Sequence, residues 1–221
     1  MRDALQVLVD AAPAFRQGLF NTLAVWFIAC VVGTIVGAIF GTLVFMLRTK
    51  SRLYQAAAHV LPTLVRSVPV LVLLVWIHYS LPEYHIAIST FATASIVLTL
   101  AVVVAAMEIT RGALESIPRG EVEGAFALGL RTSTVSRNIL LPLATRTAAP
   151  GFLLLYVDTL KLTTFTSIIA FEDLLHVTDT TITNSYRAMP AYTALAIIFI
   201  AMIFPFEYFA RAFARSRAVI R

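Results

Sequence analysis

The chain has 221 residues, 59% of them hydrophobic and 13% charged, with a mean hydropathy of +0.86. Soluble domains sit near roughly 45–50% apolar and ~25% charged, and no water-facing globule hides this much apolar surface, so a soluble enzyme or binding module is excluded. The formal charge of +5 and pI near 9.7 do not argue for nucleic acid, because Lys and Arg gather on the cytoplasmic loops of membrane proteins and record topology.

Arg2 and Asp3 precede only a short apolar patch, Ala4 to Val9 with Gln6 inside it, too brief and polar for a cleavable signal peptide, so the first true span directs insertion. No charged residue lies between Arg16 and Arg48, which predicts a tilted span over 17–47, longer than the ~20 residues that cross a bilayer. Gly33, Gly37 and Gly41 recur every fourth residue in it, a smooth stripe where another helix backbone can approach closely. Cys30, the only cysteine, lies in the same run and reads as packing. Arg48, Lys50 and Arg52 follow, then an apolar run over 54–81 broken by His59, Pro62, Arg66 and Pro69. It predicts a second span that the prolines bend or end. A charge-free third span covers 86–107, a polar loop 108–146, a fourth span 147–171 interrupted by Asp158 and Lys161, and a fifth 188–206.

Five spans separate the bases cleanly. Arg48, Lys50, Arg52, the five arginines of the 108–146 loop (Arg111, Arg119, Arg131, Arg137, Arg146), and Arg211, Arg215, Arg217 and Arg221 fall on one side; Arg2, Arg16 and Arg187 fall on the other. The positive-inside rule then places the long loop and the C-terminus in the cytoplasm and the N-terminus outside. The fold class expected is an all-α integral membrane protein of about five transmembrane helices, a single domain over 1–221.

The long loop reads as helical in pieces. Ser116 is placed to cap a helix with Pro118 in its first turn and Val122, Ala125, Phe126 and Gly129 on one apolar face. Gly129 ends or turns that helix. Thr132 or Ser133 is placed to cap a second one, expected to stop near Leu141 because Pro142 cannot continue it.

The string EGAFALGLRTSTVSRNILLP resembles the EAA-type signature loop of bacterial ABC importer permeases, in which Glu-Ala-Ala is followed by three residues, Gly, nine residues, Ile, one residue and Leu-Pro. Glu123, Ala125, Gly129, Ile139, Leu141 and Pro142 stand at those positions, and Gly124 replaces an alanine. The resemblance extends to the branch that imports polar amino acids, opines and ectoine. Glu108, Arg111, Gly112, Ser116, Ile117 and Gly120 are similar to its Glu-x-x-Arg-Gly segment, with Glu121 where Gln is common. Lys161, Thr163, Thr164, Ser167, Ile169, Glu172 and Leu174 are similar to its Lys-Asp-Thr-Ser-Leu segment, with Leu162 in place of Asp. Arg66, Pro69 and Leu71, and Gly18, Leu19, Thr22 and Leu23, complete the match.

That resemblance implies a type I importer subunit in the bacterial cytoplasmic membrane, paired with itself or a sister permease. Two ATP-binding subunits carrying ATP and Mg, and an extracytoplasmic solute-binding protein, complete the assembly. The loop would dock on the ATPase: Glu123 offers a charge to a basic partner, Gly124 and Ala125 permit close approach, and Gly129 supplies the bend. This chain has no Gly-x-x-x-x-Gly-Lys-Ser/Thr of its own, so ATP hydrolysis is expected on the partner and no cofactor on this chain.

Asp158 and Lys161, three residues apart, share a helix face and can pair. A lone charge in lipid costs ~2.5–3.5 kcal/mol on the translocon scale. Either this face, with Arg66, Thr163 and Thr164, lines a path for a small polar solute, or the pair locks span four to its neighbour. His59, His78, His85 and His176 lack ligand spacing, so no metal site is expected. Tyr84, Tyr186 and Tyr192 read as interface anchors, their rings between lipid and water. The alternative is an ion-coupled secondary transporter using the Asp158 and Lys161 pair, but it predicts internal repeats, and five spans do not split into halves. A membrane-embedded enzyme would need a nucleophile and base or a metal cluster, and none is visible.

Overall fold

Backbone amides in hydrocarbon must bond within their own segment, so a chain this apolar folds as helices. The computed structural model describes residues 2–47, 60 and 62–218. The basic cluster Arg48, Lys50 and Arg52, residues 54–59 of the expected second span, and Arg221 lie outside the described residues. So do the side chains of Arg2, Arg119, Arg211, Arg215 and Arg217.

Helix α1 (Arg2–Leu47) runs through Pro13 without ending and starts 15 residues before the charge-free window. At 1.5 Å per residue its 46 residues reach about 70 Å, well beyond the ~30 Å hydrocarbon core. The expected second span is broken. A short helix, α2 (helical at 60 and 62–67), stops before Pro69, which takes the N-cap position of α3 (Val70–Ser80) at φ −57° and ψ 137°. Proline donates no amide and pushes the residue before it out of the helical region. A 3₁₀ turn (Leu81–Tyr84) and a left-handed His85 at φ 61° close this segment.

Helix α4 (Thr90–Glu115) is capped by Ser89, whose Oγ accepts from Ala92 N at 3.2 Å. Three shorter elements follow: α5 (Arg119–Ala127), α6 (Thr132–Val135) and a π turn (Ser136–Leu140). The last leads directly into α7 (Leu141–Leu162), so Thr132–Ile169 is one nearly continuous membrane-length run. A 3₁₀ segment (Thr163–Ile169), α8 (Leu174–Ser185) and α9 (Ala188–Ala218) complete the chain. Among the described residues four helices are long and apolar enough to cross a membrane, and Val70–Tyr84 is a shorter apolar piece.

The core joins α1, α3, α4 and the segment after α7 through Val25, Ala29, Leu74, Val97, Leu98, Val102, Ile169 and Phe171. The α1–α4 contact is the most extensive in the fold, and glycine makes it possible. A methyl carbon placed on Gly33 would stand 2.6 Å from the Val102 side chain, and on Gly37 or Gly41 it would stand 2.5 Å from Val103 O or Met107 O. The two backbones therefore touch with nothing between them. Elsewhere on α1, Phe20, Phe27, Ile35 and Phe40 are more than half exposed, as lipid or a neighbouring subunit allows.

Candidate functional site

Two regions carry chemistry that packing does not use: the α5 hairpin and a charged cluster on α7 and α9. Residues 108–115, read from sequence as the start of the loop, are the last two turns of α4. Arg111 pairs there with Glu115 at 3.2 Å, an i,i+4 contact. Ser116 Oγ donates to Ala113 O at 2.8 Å, so Ser116 closes α4 rather than opening α5. The N-cap position of α5 falls to Pro118, with Glu121 in the first turn opposing the helix dipole.

The far end of α5 is a Schellman cap. Leu130 N donates to Ala125 O at 3.3 Å and Gly129 N to Phe126 O at 2.9 Å, while Gly129 takes φ +75°, where a Cβ is penalised. Ala125 is buried, but Glu123 is exposed, Leu128 is 82% exposed and Phe126 nearly half. Methyl groups on Gly120 or Gly124 would meet nothing within 4 Å among the described residues. The hairpin thus presents a small, partly apolar surface with the carboxylates of Glu121 and Glu123 on it and no side chain at Gly120 or Gly124.

Beyond Gly129 the chain turns into α6, and α5 packs on α6 and the π turn. Arg131 takes the N-cap position of α6, ahead of Thr132 and Ser133. Pro142 does not stop the helix. Leu141 N reaches back five residues to Ser136 O, widening one turn, and the helix continues with Pro142 in its first turn, where a missing amide leaves nothing unsatisfied. Thr145 Oγ1 lies 2.9 Å from Leu141 O and 3.0 Å from Pro142 O. Ile139, Leu141 and Pro142 are therefore the junction that joins the hairpin to α7 without a break.

At the other end of α7, Lys161 Nζ stands 3.8 Å from Asp158 Oδ1 and 4.0 Å from Glu207 Oε1 on α9. The Asp158 side chain is 71% exposed and that of Lys161 53%. Thr164 Oγ1 donates to Lys161 O at 2.8 Å. Thr163 turns inward, 1% exposed, with its hydroxyl on Leu160 O, so it lines no open path. Arg66 is ion-paired with Glu108 of α4, and this pair is separate from the Asp158 cluster.

The sequence profile of the family described as "Binding-protein-dependent transport system inner membrane component" matches residues 33–219. The chain belongs to that family. It is the multi-pass inner membrane permease subunit of a binding-protein-dependent ABC importer, a polypeptide distinct from the ATPase, and it works with an ATPase and a binding protein. The arginine ABC transporter permease protein ArtQ of Haemophilus influenzae is 27% identical over 83% of this chain and 86% of its own length. The nopaline transport system permease protein NocM of Agrobacterium fabrum is 25% identical over 90% and 86%. A subunit from a crystal structure of an amino acid ABC transporter with histidines superposes with a TM-score of 0.84 at 25% identity, covering 95% of this permease and 96% of that chain.

Two groups of this permease escape the sequence reading. Glu207, the third member of the cluster, sits in the aromatic run Phe204-Pro205-Phe206-Glu207-Tyr208-Phe209, and a lone carboxylate in such a run is itself an intramembrane signal. Asp173 follows the membrane-length run Thr132–Ile169 and is 1% exposed. Its Oδ1 accepts from Ser167 Oγ at 2.6 Å and His176 N at 2.9 Å, capping α8, and its Oδ2 lies 2.5 Å from Thr166 Oγ1. Burial pushes this carboxyl above its usual range, while the Ser167 and Thr166 hydroxyls and the His176 and Leu175 amides pull it back. Next to it Leu174 N donates to Thr22 Oγ1 at 3.1 Å and Asn21 Nδ2 to Glu172 O at 2.8 Å, tying α8 to α1. An Asp directly before a polar-apolar helix is a readable cap signal.

Proposed function

We propose that this permease imports small zwitterionic solutes of the amino-acid class: polar amino acids, opine-like conjugates or ectoine-like osmolytes. The observation that carries this reading is Lys161 set between Asp158 and Glu207 within the apolar stretches of α7 and α9. Charges at membrane depth are retained where they face water or protein, and a site with both signs complements a solute carrying an ammonium and a carboxylate. Thr164 adds a hydroxyl beside it. The relatives named for arginine and nopaline support the same class.

In this reading the whole chain is one transmembrane domain with its N-terminus outside and its C-terminus in the cytoplasm of a bacterium. Two permease subunits, identical or sister, sit on two ATP-binding subunits that hold ATP and Mg, and a solute-binding protein delivers the solute from outside. Helix α5 seats in the ATPase, with Glu123 facing a basic residue and Gly124 and Ala125 allowing backbone approach. The Gly129 bend and the junction at Ile139, Leu141 and Pro142 pass ATPase displacement into α7, which carries Lys161 at its far end. Alternating access is then a population shift between two openings, driven by ATPase closure.

Asp158→Asn, Lys161→Met and Glu207→Gln, singly and together, test the cluster in proteoliposomes containing the complete importer and its binding protein. A path predicts altered uptake KM and altered competition among cationic, anionic and zwitterionic amino acids, with the folded yield retained. Loss of yield with an unchanged competition profile would mean that the cluster only locks α7 to α9.

A further inference from the structure

Beside the hairpin junction, α1, α4 and the π turn leave a cavity of about 380 Å³. Phe45, Met46, Leu114, Leu140, Ala144 and Phe152 make its walls. This volume lies in the ~300–1,000 Å³ range of small-ligand sites, and such apolar walls would be wasted on a soluble polar metabolite. Thr42, Ser133, Ser136 and Thr145 also border this mostly apolar lining, and two further polar side chains point to an occupant. Thr110 borders the cavity with a hydroxyl that is buried and without a hydrogen-bond partner, a costly state that a ligand acceptor would relieve. Arg137, exposed on the π turn, also borders it, and the ion pairs among the described residues leave this guanidinium without an acidic partner.

The position narrows the occupant. The cavity lies where the apolar run of α1 ends at Leu47, the level at which acyl chains give way to phosphates. We propose that it holds one acyl chain of an anionic phospholipid, with the headgroup phosphate on Arg137 and ester oxygens available to Thr110. A zwitterionic lipid offers Arg137 no net charge. The lipid would wedge α1 and α4 against the π turn, the one widened turn between hairpin and α7, and π turns recur at functional positions. Bilayer composition would thereby set the stiffness of the junction.

The test uses the complete importer in liposomes carrying a trace of phosphatidylglycerol or phosphatidylcholine with a diazirine in one acyl chain, irradiated and mapped by peptide mass spectrometry. The phosphatidylglycerol probe should label peptides spanning Phe45, Met46 and Ala144 about fivefold more than the phosphatidylcholine probe, the equivalent of one basic contact with an anionic lipid. Arg137→Gln should erase that preference, and Ala144→Phe, which fills the cavity, should erase the labelling. Where Ala144→Phe does not accumulate, Ala148→Leu fills the same space. Equal labelling by both lipids, equal labelling by a diazirine fatty acid, or labelling unchanged by the filled cavity would overturn the proposal. So would an Arg137→Gln variant that loses the ATPase while its lipid labelling stays intact.

Discussion

Along the α1–α4 seam a methyl group on Gly33, Gly37 or Gly41 would stand 2.5–2.6 Å from α4, whereas on α5 Gly120 and Gly124 face open space among the described residues. The same residue type serves a finished contact in one region and an unfinished one in the other. Within the chain, the seam's glycines are fully explained by what they touch. Those of the hairpin have no such partner, and Gly129 alone has a local reason in its φ of +75°. A surface kept smooth without internal need is what a docking element requires.

Substitutions sharpen this contrast. Gly37→Val should separate α1 from α4 and cost about 3 kcal/mol, the upper end of overpacking penalties. It should be seen as loss of monodisperse protein in detergent. Gly124→Ala should instead raise the helicity of α5 by at most ~1 kcal/mol and leave the melting temperature of the isolated subunit unchanged or slightly higher. If both variants melted alike, the seam would not be the tight contact described.

Asp173 is the polar counterpart of the glycine seam, its carboxylate joining α8 to the 3₁₀ segment through Thr166 and Ser167. Asp173→Ala should cost about 2 kcal/mol through the lost cap and unpaired buried groups. Asp173→Asn keeps an acceptor for Ser167 and His176 and gains a donor for Thr166, and should stay near the parent. Because the folded pKa is raised, the folded state binds the proton more tightly than the unfolded chain does. Stability is therefore fully present below the ordinary carboxylate range and declines as pH rises through the raised value. Melting temperature followed against pH should fall in the parent and stay level in Asp173→Asn.

Gly129→Val places a β-branched residue in the left-handed region at a cost of about 1–2 kcal/mol, although there is room for the side chain among the described residues. Asn tolerates that region. In proteoliposomes Gly129→Val should lower solute transported per ATP, and Gly129→Asn should restore most of it. Equal ratios in the two variants would remove the bend from the mechanism.

The apolar composition and charge-free windows made the helical membrane fold legible, and the spacing from Glu123 to Pro142 made the hairpin legible. Helix ends were harder. Ser116 reads equally as an N-cap or as the closing hydroxyl of the preceding helix, and only the position of Ala113 O decides. Pro142 reads as a stop, but a π turn can accommodate a proline and let the helix run on. Thr163 reads as polar and therefore as a pathway residue, yet its proton goes to Leu160 O and its side chain to the core. Glu207 stands out locally as a carboxylate in an aromatic run, but its partner Lys161 is 46 residues away in sequence, and no local pattern encodes that pairing.

The proposed contact between the α5 hairpin and the ATPase is open to cross-linking. In a Cys30→Ala background, a single cysteine at Leu128, which is 82% exposed, is compared with a control at Tyr84, which is 74% exposed in the 3₁₀ turn after α3, by applying a thiol-to-amine cross-linker to the intact importer in membranes. Leu128→Cys should give a covalent adduct with the ATP-binding subunit, and Tyr84→Cys should not. An adduct from Tyr84→Cys, or none from Leu128→Cys, would contradict it.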